Sequence, residues 1–236
     1  MEIHQHENAA QLTSGFADWL VNYIKTTLLE KPRFTIALSG GNTPKQLFIL
    51  LASDTYRNKI DWTRMHVFWG DERVVPFDDD RNNAKVAIEI LLDKVPVPKE
   101  QVHRMQTDNP AGSASAYDTL LHTHFDGKQT SFDLVMLGLG EDGHTLSVFP
   151  GSPVLADHHS WVKAIFVIDQ NMLRITLTPL IVNKAAAIAF LVSGESKAII
   201  LQKILHRDPA YPASLIDPKK GVLHWFVDKA ANPRGY

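Results

Sequence analysis

An α/β fold with a mostly parallel sheet covered by helices on both faces is what this sequence predicts. Two observations carry that expectation. Short apolar runs of strand length alternate with stretches in which apolar residues recur at helical spacing. Several of the apolar runs also end in glycine-rich turns that lead into the next helix, as in strand–helix units of a parallel sheet. At 236 residues, 44% hydrophobic and 21% charged, the chain has the composition of an ordinary globular protein. No linker divides it, so a single domain over residues 1–236 is expected.

The elements follow in order. Leu12, Phe16, Trp19, Leu20, Tyr23, Ile24 and Leu28 recur at helical spacing, which predicts an amphipathic helix over 9–30, ended by Lys31-Pro32. Residues 34–38 form a short apolar strand. Ser39-Gly40-Gly41-Asn42-Thr43-Pro44 then opens a second helix through Leu47, Leu50 and Leu51, with Thr43 expected at the N-cap and Pro44 at the first helical position. Residues 65–69 read as a strand closed by Gly70-Asp71-Glu72-Arg73, residues 84–92 as a helix, and Val95-Pro96-Val97-Pro98 as a break. A helix over 114–125 precedes a strand over 132–137. Strands are further expected over 161–168, 174–177, 184–192 and 223–227, with a helix through Ile200, Leu201 and Ile204.

Composition excludes several functions. The formal net charge is −2 and no run of lysines and arginines appears, which argues against nucleic acid as a partner. The absence of cysteine removes disulfides, thiol nucleophiles and cysteine-ligated metals. The start Met1-Glu2-Ile3-His4-Gln5-His6-Glu7 lacks the basic and apolar regions of a secretory signal, and the longest apolar run, 185–192, is far short of a membrane span. A cytoplasmic protein acting on a small molecule, as a monomer or small homo-oligomer without membrane contact, is expected. Asp78-Asp79-Asp80 reads as a solvated loop, and the adjacent histidines of Asp157-His158-His159 are poorly placed to chelate together, so no metal is expected.

The chemistry concentrates in three turns. Gly138-Leu139-Gly140-Glu141-Asp142-Gly143-His144-Thr145 follows an apolar strand, and its glycines let the backbone turn sharply at the strand's carboxyl end, where ligands bind in open α/β sheets. His144 there can move protons near neutral pH, with Asp142 to orient its ring. Ser39 to Thr43 lies between a strand and a helix start, where free backbone N–H groups suit a phosphate or an oxyanion, yet it matches neither nucleotide-loop pattern. Asp71-Glu72-Arg73 is expected at the same rim. Arg174 begins a strand and Lys197 follows a glycine turn, and both are cations suited to a phosphate.

These motifs, taken in order, resemble the 6-phosphogluconolactonase family. The residues are Ser39-Gly40-Gly41-Asn42-Thr43-Pro44; Trp69-Gly70-Asp71-Glu72-Arg73 with Val75-Pro76 and Asn83; and Gly138 to Thr145 with Ser147 and Phe149-Pro150-Gly151. Arg174-Ile175-Thr176-Leu177-Thr178 and Ser193-Gly194-Glu195-Ser196-Lys197 continue the match, which covers roughly residues 10 to 228. The related glucosamine-6-phosphate deaminases share the fold but carry tyrosine after the Asp-Glu pair and a glutamate that partners the histidine. Arg73 and Phe149 hold those places here. Two departures from the family pattern are Leu146, where a small residue is usual, and Asn82, where serine is common.

The resemblance implies a single Rossmann-like domain without a nucleotide, and hydrolysis of 6-phospho-D-glucono-1,5-lactone without a metal or organic cofactor. The alternatives are a deaminase-like enzyme and a non-catalytic sugar-phosphate-binding regulator. It implies His144 as general base, partnered by Asp142 or Asp71, and Gly40, Gly41 and Arg73 at the oxyanion or sugar oxygens. Asn42, Thr43 and Asn83 join the substrate-binding set, and Arg174 and Lys197 hold the phosphate.

Overall fold

The computed structural model describes residues 1–232. In chain order the elements are β1 (Glu2–His6), α1 (Ala9–Glu30), β2 (Phe34–Leu38), α2 (Asn42–Leu51), β3 (Met65–Trp69), β4 (Asp71–Arg73), α3 (Asn83–Ile90) and β5 (Val102–His103). They continue with α4 (Pro110–Phe125), β6 (Leu134–Leu137), β7 (Val162–Val167), β8 (Met172–Leu177), α5 (Pro179–Val182), β9 (Ala187–Val192), α6 (Ala198–Leu205) and β10 (Val222–Asp228).

Seven strands form a parallel sheet in the order β1-β10-β9-β6-β2-β3-β5. Every residue of β2, β6 and β9 is buried, which is why the sequence shows them as unbroken apolar runs rather than alternating ones. One face packs on α1, α2 and α3 through Phe16, Leu20, Phe48 and Trp69. The other packs on α4 and α6 through Leu121, Phe125, Phe190 and Leu201. No helix among the described residues is long and apolar enough to cross a membrane.

From β2 the chain builds outward through β3 to β5, then returns to β6 on the other side of β2 and builds toward β10. The direction therefore reverses between β2 and β6. The crevice at such a reversal, outside the carboxyl ends of the strands, is the favoured ligand position in open α/β sheets. The Ser39 turn follows β2 and the Gly138 turn follows β6, so the two glycine motifs flank it.

β5 and α5 are not expected from the sequence, and three further features depart from the expectation. β1 is a strand although its residues are mostly polar and partly exposed, because its backbone pairs with β10 from Glu2↔His224 to His6↔Asp228. Asp71 to Arg73 is not a loop: as β4 it pairs antiparallel with β8, and β8 with β7, giving a second, three-stranded sheet. Helix α2 begins at Asn42 with Gly41 at its N-cap, so Thr43 and Pro44 lie inside its first turn. The reason is Gly41's φ of 107°, a left-handed conformation that glycine adopts without penalty.

Candidate active site

A cleft of about 420 Å³ opens at the reversal point. Gly40, Gly41, Asn42 and Thr43 line it from the β2 side, and Gly138, Gly140, His144 and Leu146 from the β6 side. Asp71, Arg73 and Arg174 enter from the small sheet, Asn83 from the start of α3, and Lys197 from the turn after β9. Ten of the eleven site residues read from the sequence thus meet in one cavity. The eleventh, Asp142, stands behind His144.

Of the two acids the sequence left open as the partner of His144, Asp142 is the one in contact. Its Oδ1 lies 2.5 Å from His144 Nδ1 and accepts the His144 backbone N–H at 3.1 Å. Burial acts to raise the Asp142 carboxyl, but the contacts with His144 outweigh it and hold the group below its usual range. The turn is tight enough that a Cβ on Gly140 would fall 2.1 Å from His144 Nδ1, so only glycine fits there. Phe149 stacks on the imidazole at 4.2 Å between ring centroids, a neighbour that cannot accept a proton.

Asp71 is committed elsewhere. Its Oδ2 accepts the Ser147 hydroxyl at 2.6 Å and lies 3.8 Å from an Arg174 guanidinium nitrogen. Arg174 also donates to Gln170, which lies in the turn between β7 and β8 and lines the cleft. Burial pulls the Arg174 guanidinium below its ordinary value, Asp71 pulls it back up and Arg73 pushes it down. Arg73 and Arg174 face each other in the β4–β8 register, and the Nε of each is buried without a partner among the described residues. Two desolvated guanidinium groups with spare donors give the cleft an anion-seeking wall. Lys197 adds a third cation, its Nζ 3.8 Å from Glu141.

Glu72, fully buried, does not face the cleft. It caps α3, accepting the N–H groups of Arg73, Asn83 and Ala84 at 2.7 to 2.8 Å. Asn82 caps the same helix by accepting the Lys85 N–H at 2.9 Å, the role a serine would fill. Asn83 donates to the Asp71 carbonyl at 3.0 Å, and its Oδ1 would be 1.9 Å from a Cβ on Gly40, so the Gly-Gly turn and α3 touch without room for a methyl group. Leu146 takes a left-handed φ of 56°, lies against Gly70 and lines the cleft.

Gln170 and Ser193 also line the cleft and were not named as site residues from the sequence, and Ser39 entered only as the start of the Gly-Gly turn. Ser193 was quoted only within a motif, and Gln170 carries no local signal because its position depends on how β7 turns into β8.

The architecture is that of a Rossmann-like α/β protein with a small-ligand cleft at the reversal point of its sheet. The profile of the family described as glucosamine-6-phosphate isomerases/6-phosphogluconolactonase matches residues 7–225, and the chain belongs to that family. A 6-phosphogluconolactonase of Synechocystis sp. is 40% identical over 216 residues, covering 88% of this chain and 87% of that one. The crystal structure of 6-phosphogluconolactonase from Thermotoga maritima superposes with a TM-score of 0.85 at 29% identity, over 97% of this chain and 99% of that one. A monomeric glucosamine-6-phosphate deaminase superposes with a TM-score of 0.81 at 20% identity over 98% of both chains, a likeness of fold alone.

Proposed function

We propose that the protein hydrolyses 6-phospho-D-glucono-1,5-lactone to 6-phospho-D-gluconate, the second step of the oxidative pentose phosphate pathway, in the cytoplasm. The observation that carries this is the placement of the His144–Asp142 pair across one cleft from Arg73, Arg174 and Lys197. A lactone carbonyl is already electrophilic, so the protein needs to supply a base for water, donors for the oxyanion and a seat for the phosphate.

With Nδ1 directed at Asp142, His144 Nε2 takes a proton from water as its oxygen bonds to the lactone carbon. The carbonyl electrons move onto oxygen, where the N–H groups of Gly40 and Gly41 and the Arg73 guanidinium stabilise the charge. Collapse of the tetrahedral intermediate breaks the bond to the ring oxygen, which receives the proton back from His144. Arg174, held by Asp71 and Gln170, and Lys197 seat the phosphate. Phe149 beside His144 favours the lactonase over deaminase chemistry, since it supplies no second carboxylate.

The test is initial-rate hydrolysis of freshly generated lactone coupled to 6-phosphogluconate dehydrogenase, beside a blank that records spontaneous opening. A rate well above the blank is expected, and a rate equal to it removes the lactonase reading. Stabilisation by glucosamine 6-phosphate and not by 6-phosphogluconate would point instead to the deaminase or a sensor.

A further inference from the structure

A second group of ligating side chains lies away from the cleft. His66 on β3, His103 on β5 and His124 in the last turn of α4 each present a ring nitrogen, and the three nitrogens lie within 4.8 Å of one another. Alternation along β3 explains the convergence. Met65, Val67 and Trp69 face α1 to α3, so His66 and Phe68 face the side on which α4 packs. The Phe68 ring stacks on His103 at 4.4 Å and meets His124 edge-on at 5.2 Å, which fixes both imidazoles by packing. His66 is the second residue of β3, toward the end of the sheet opposite the cleft.

We propose that His66, His103 and His124 form a binding site for a divalent transition-metal ion of the zinc type, with a fourth coordination position open to water. All three side chains are only partly buried, which leaves such a position accessible. His66 Nδ1 and His103 Nε2 are 3.1 Å apart. Tetrahedral zinc with bonds of about 2.0–2.1 Å separates its ligand nitrogens by about 3.3–3.4 Å, so this pair must open by a few tenths of an ångström while the wider separations, within 4.8 Å, close on the ion by rotation of the His124 ring. A donor set of imidazoles alone selects zinc, copper or nickel over magnesium and calcium.

Burial pushes all three below the usual histidine range, His103 and His124 to about 4, with the neighbouring histidines and Arg33 adding to the effect. His124 Nδ1 is buried with no hydrogen-bond partner among the described residues. Arg33 and Lys128 oppose a cation at this place. Both charges act on the histidines from close by and lower the affinity for a cation. The structural effect of the ion is a cross-link, because β5 has only two residues and its pairing with β3 would be reinforced by a bridge to β3 and α4.

The test is calorimetric titration of chelator-treated protein with zinc chloride, with thermal melts and visible spectra of the cobalt-substituted form. The wild type should bind one equivalent more than the His66→Ala/His124→Ala double variant, melt higher with zinc, and show the intense bands of tetrahedral cobalt. His124→Gln, the milder change should the double variant fold poorly, should weaken binding at least about tenfold. Apo variants should keep wild-type lactonase activity, since none of the three residues lines the cleft. Equal stoichiometry and equal thermal shifts in wild type and variants would overturn the site and assign zinc elsewhere, to the Glu2, His4 and His224 group at the other sheet edge or to His144.

Discussion

Asp142 grips His144 at two points, ring and backbone, through a single carboxylate oxygen at 2.5 Å from Nδ1 and 3.1 Å from the amide nitrogen. An acceptor at Nδ1 holds the ring proton there and leaves the Nε2 lone pair free to take a proton. Phe149 closes one face of the ring, so the imidazole has little freedom to swing out of that alignment. The side chain of His144 is nonetheless 29% exposed, which gives water access to the proposed base.

His144→Ala should lower kcat about 10²- to 10⁴-fold, the usual contribution of general base catalysis, with little change in melting temperature. Asp142→Asn should cost less, about 10- to 100-fold in kcat, because the base survives but its tautomer is no longer enforced by a charged acceptor. Both are read in the coupled assay against the blank. Full activity in either variant would remove that residue from the mechanism.

Arg174→Ala should act mainly on KM, raising it at least about tenfold for the phosphorylated lactone, because a phosphate seat binds ground and transition states alike. Arg174→Lys should recover only part of the loss, since an ammonium keeps the charge but not the fork that meets Asp71 and Gln170. A normal KM in Arg174→Ala would move the phosphate toward Arg73 and Lys197.

Gly40→Ala should be harmful although it adds one methyl group. The new Cβ would collide with Asn83 Oδ1, and Asn83 is buried and bonded to the Asp71 carbonyl. A loss of about 1–3 kcal/mol in urea unfolding is expected, together with reduced kcat as the turn shifts. Retained activity would show that the amides of this turn do not contact the reacting atoms.

Glu72 gives a pH signature. Burial pushes its carboxyl up to about 7 despite three backbone N–H bonds that pull it down, with Asp71 adding to the rise. The folded chain then holds this proton more tightly than the unfolded one, whose value is 4.5. The stabilisation is complete below that value and is lost as pH rises through about 7. Urea midpoints of the wild type, measured relative to Glu72→Gln, should therefore fall between pH 4.5 and 7. A constant difference over that range would mean that the carboxyl is already ionised at the acidic end. Glu72→Gln itself should cost about 1–3 kcal/mol by leaving a buried N–H without an acceptor.

What the sequence made legible was whatever leaves a local mark. The central strands announce themselves because burial on both faces removes polar alternation, and the glycine turns because no other residue fits their backbone or their close contacts. Elements held by their neighbours leave no such mark. β1 exists because β10 offers it a backbone edge, and the small sheet because β8 folds back on Asp71 to Arg73. Glu72 stands between two cleft-lining residues in the sequence yet turns away to cap α3, a direction set by the strand's alternation rather than by its chemical type. The three histidines of the proposed metal site are separated by 37 and 21 positions (66 to 103, 103 to 124), and the β3–β5 pairing together with the packing of α4 brings them together.

The two sheets divide labour in a way that bears on how such proteins change over evolutionary time. His144 and Asp142, proposed here as the proton-transfer pair, ride on the turn after β6 of the large sheet, while Arg73, Arg174 and Gln170 ride on the small one. On that reading, selectivity can drift through replacements in β7, β8 and the turn joining them while the His144 imidazole stays as it is. A graft of residues 162–177 between family members would be a compact way to exchange one preferred lactone for another.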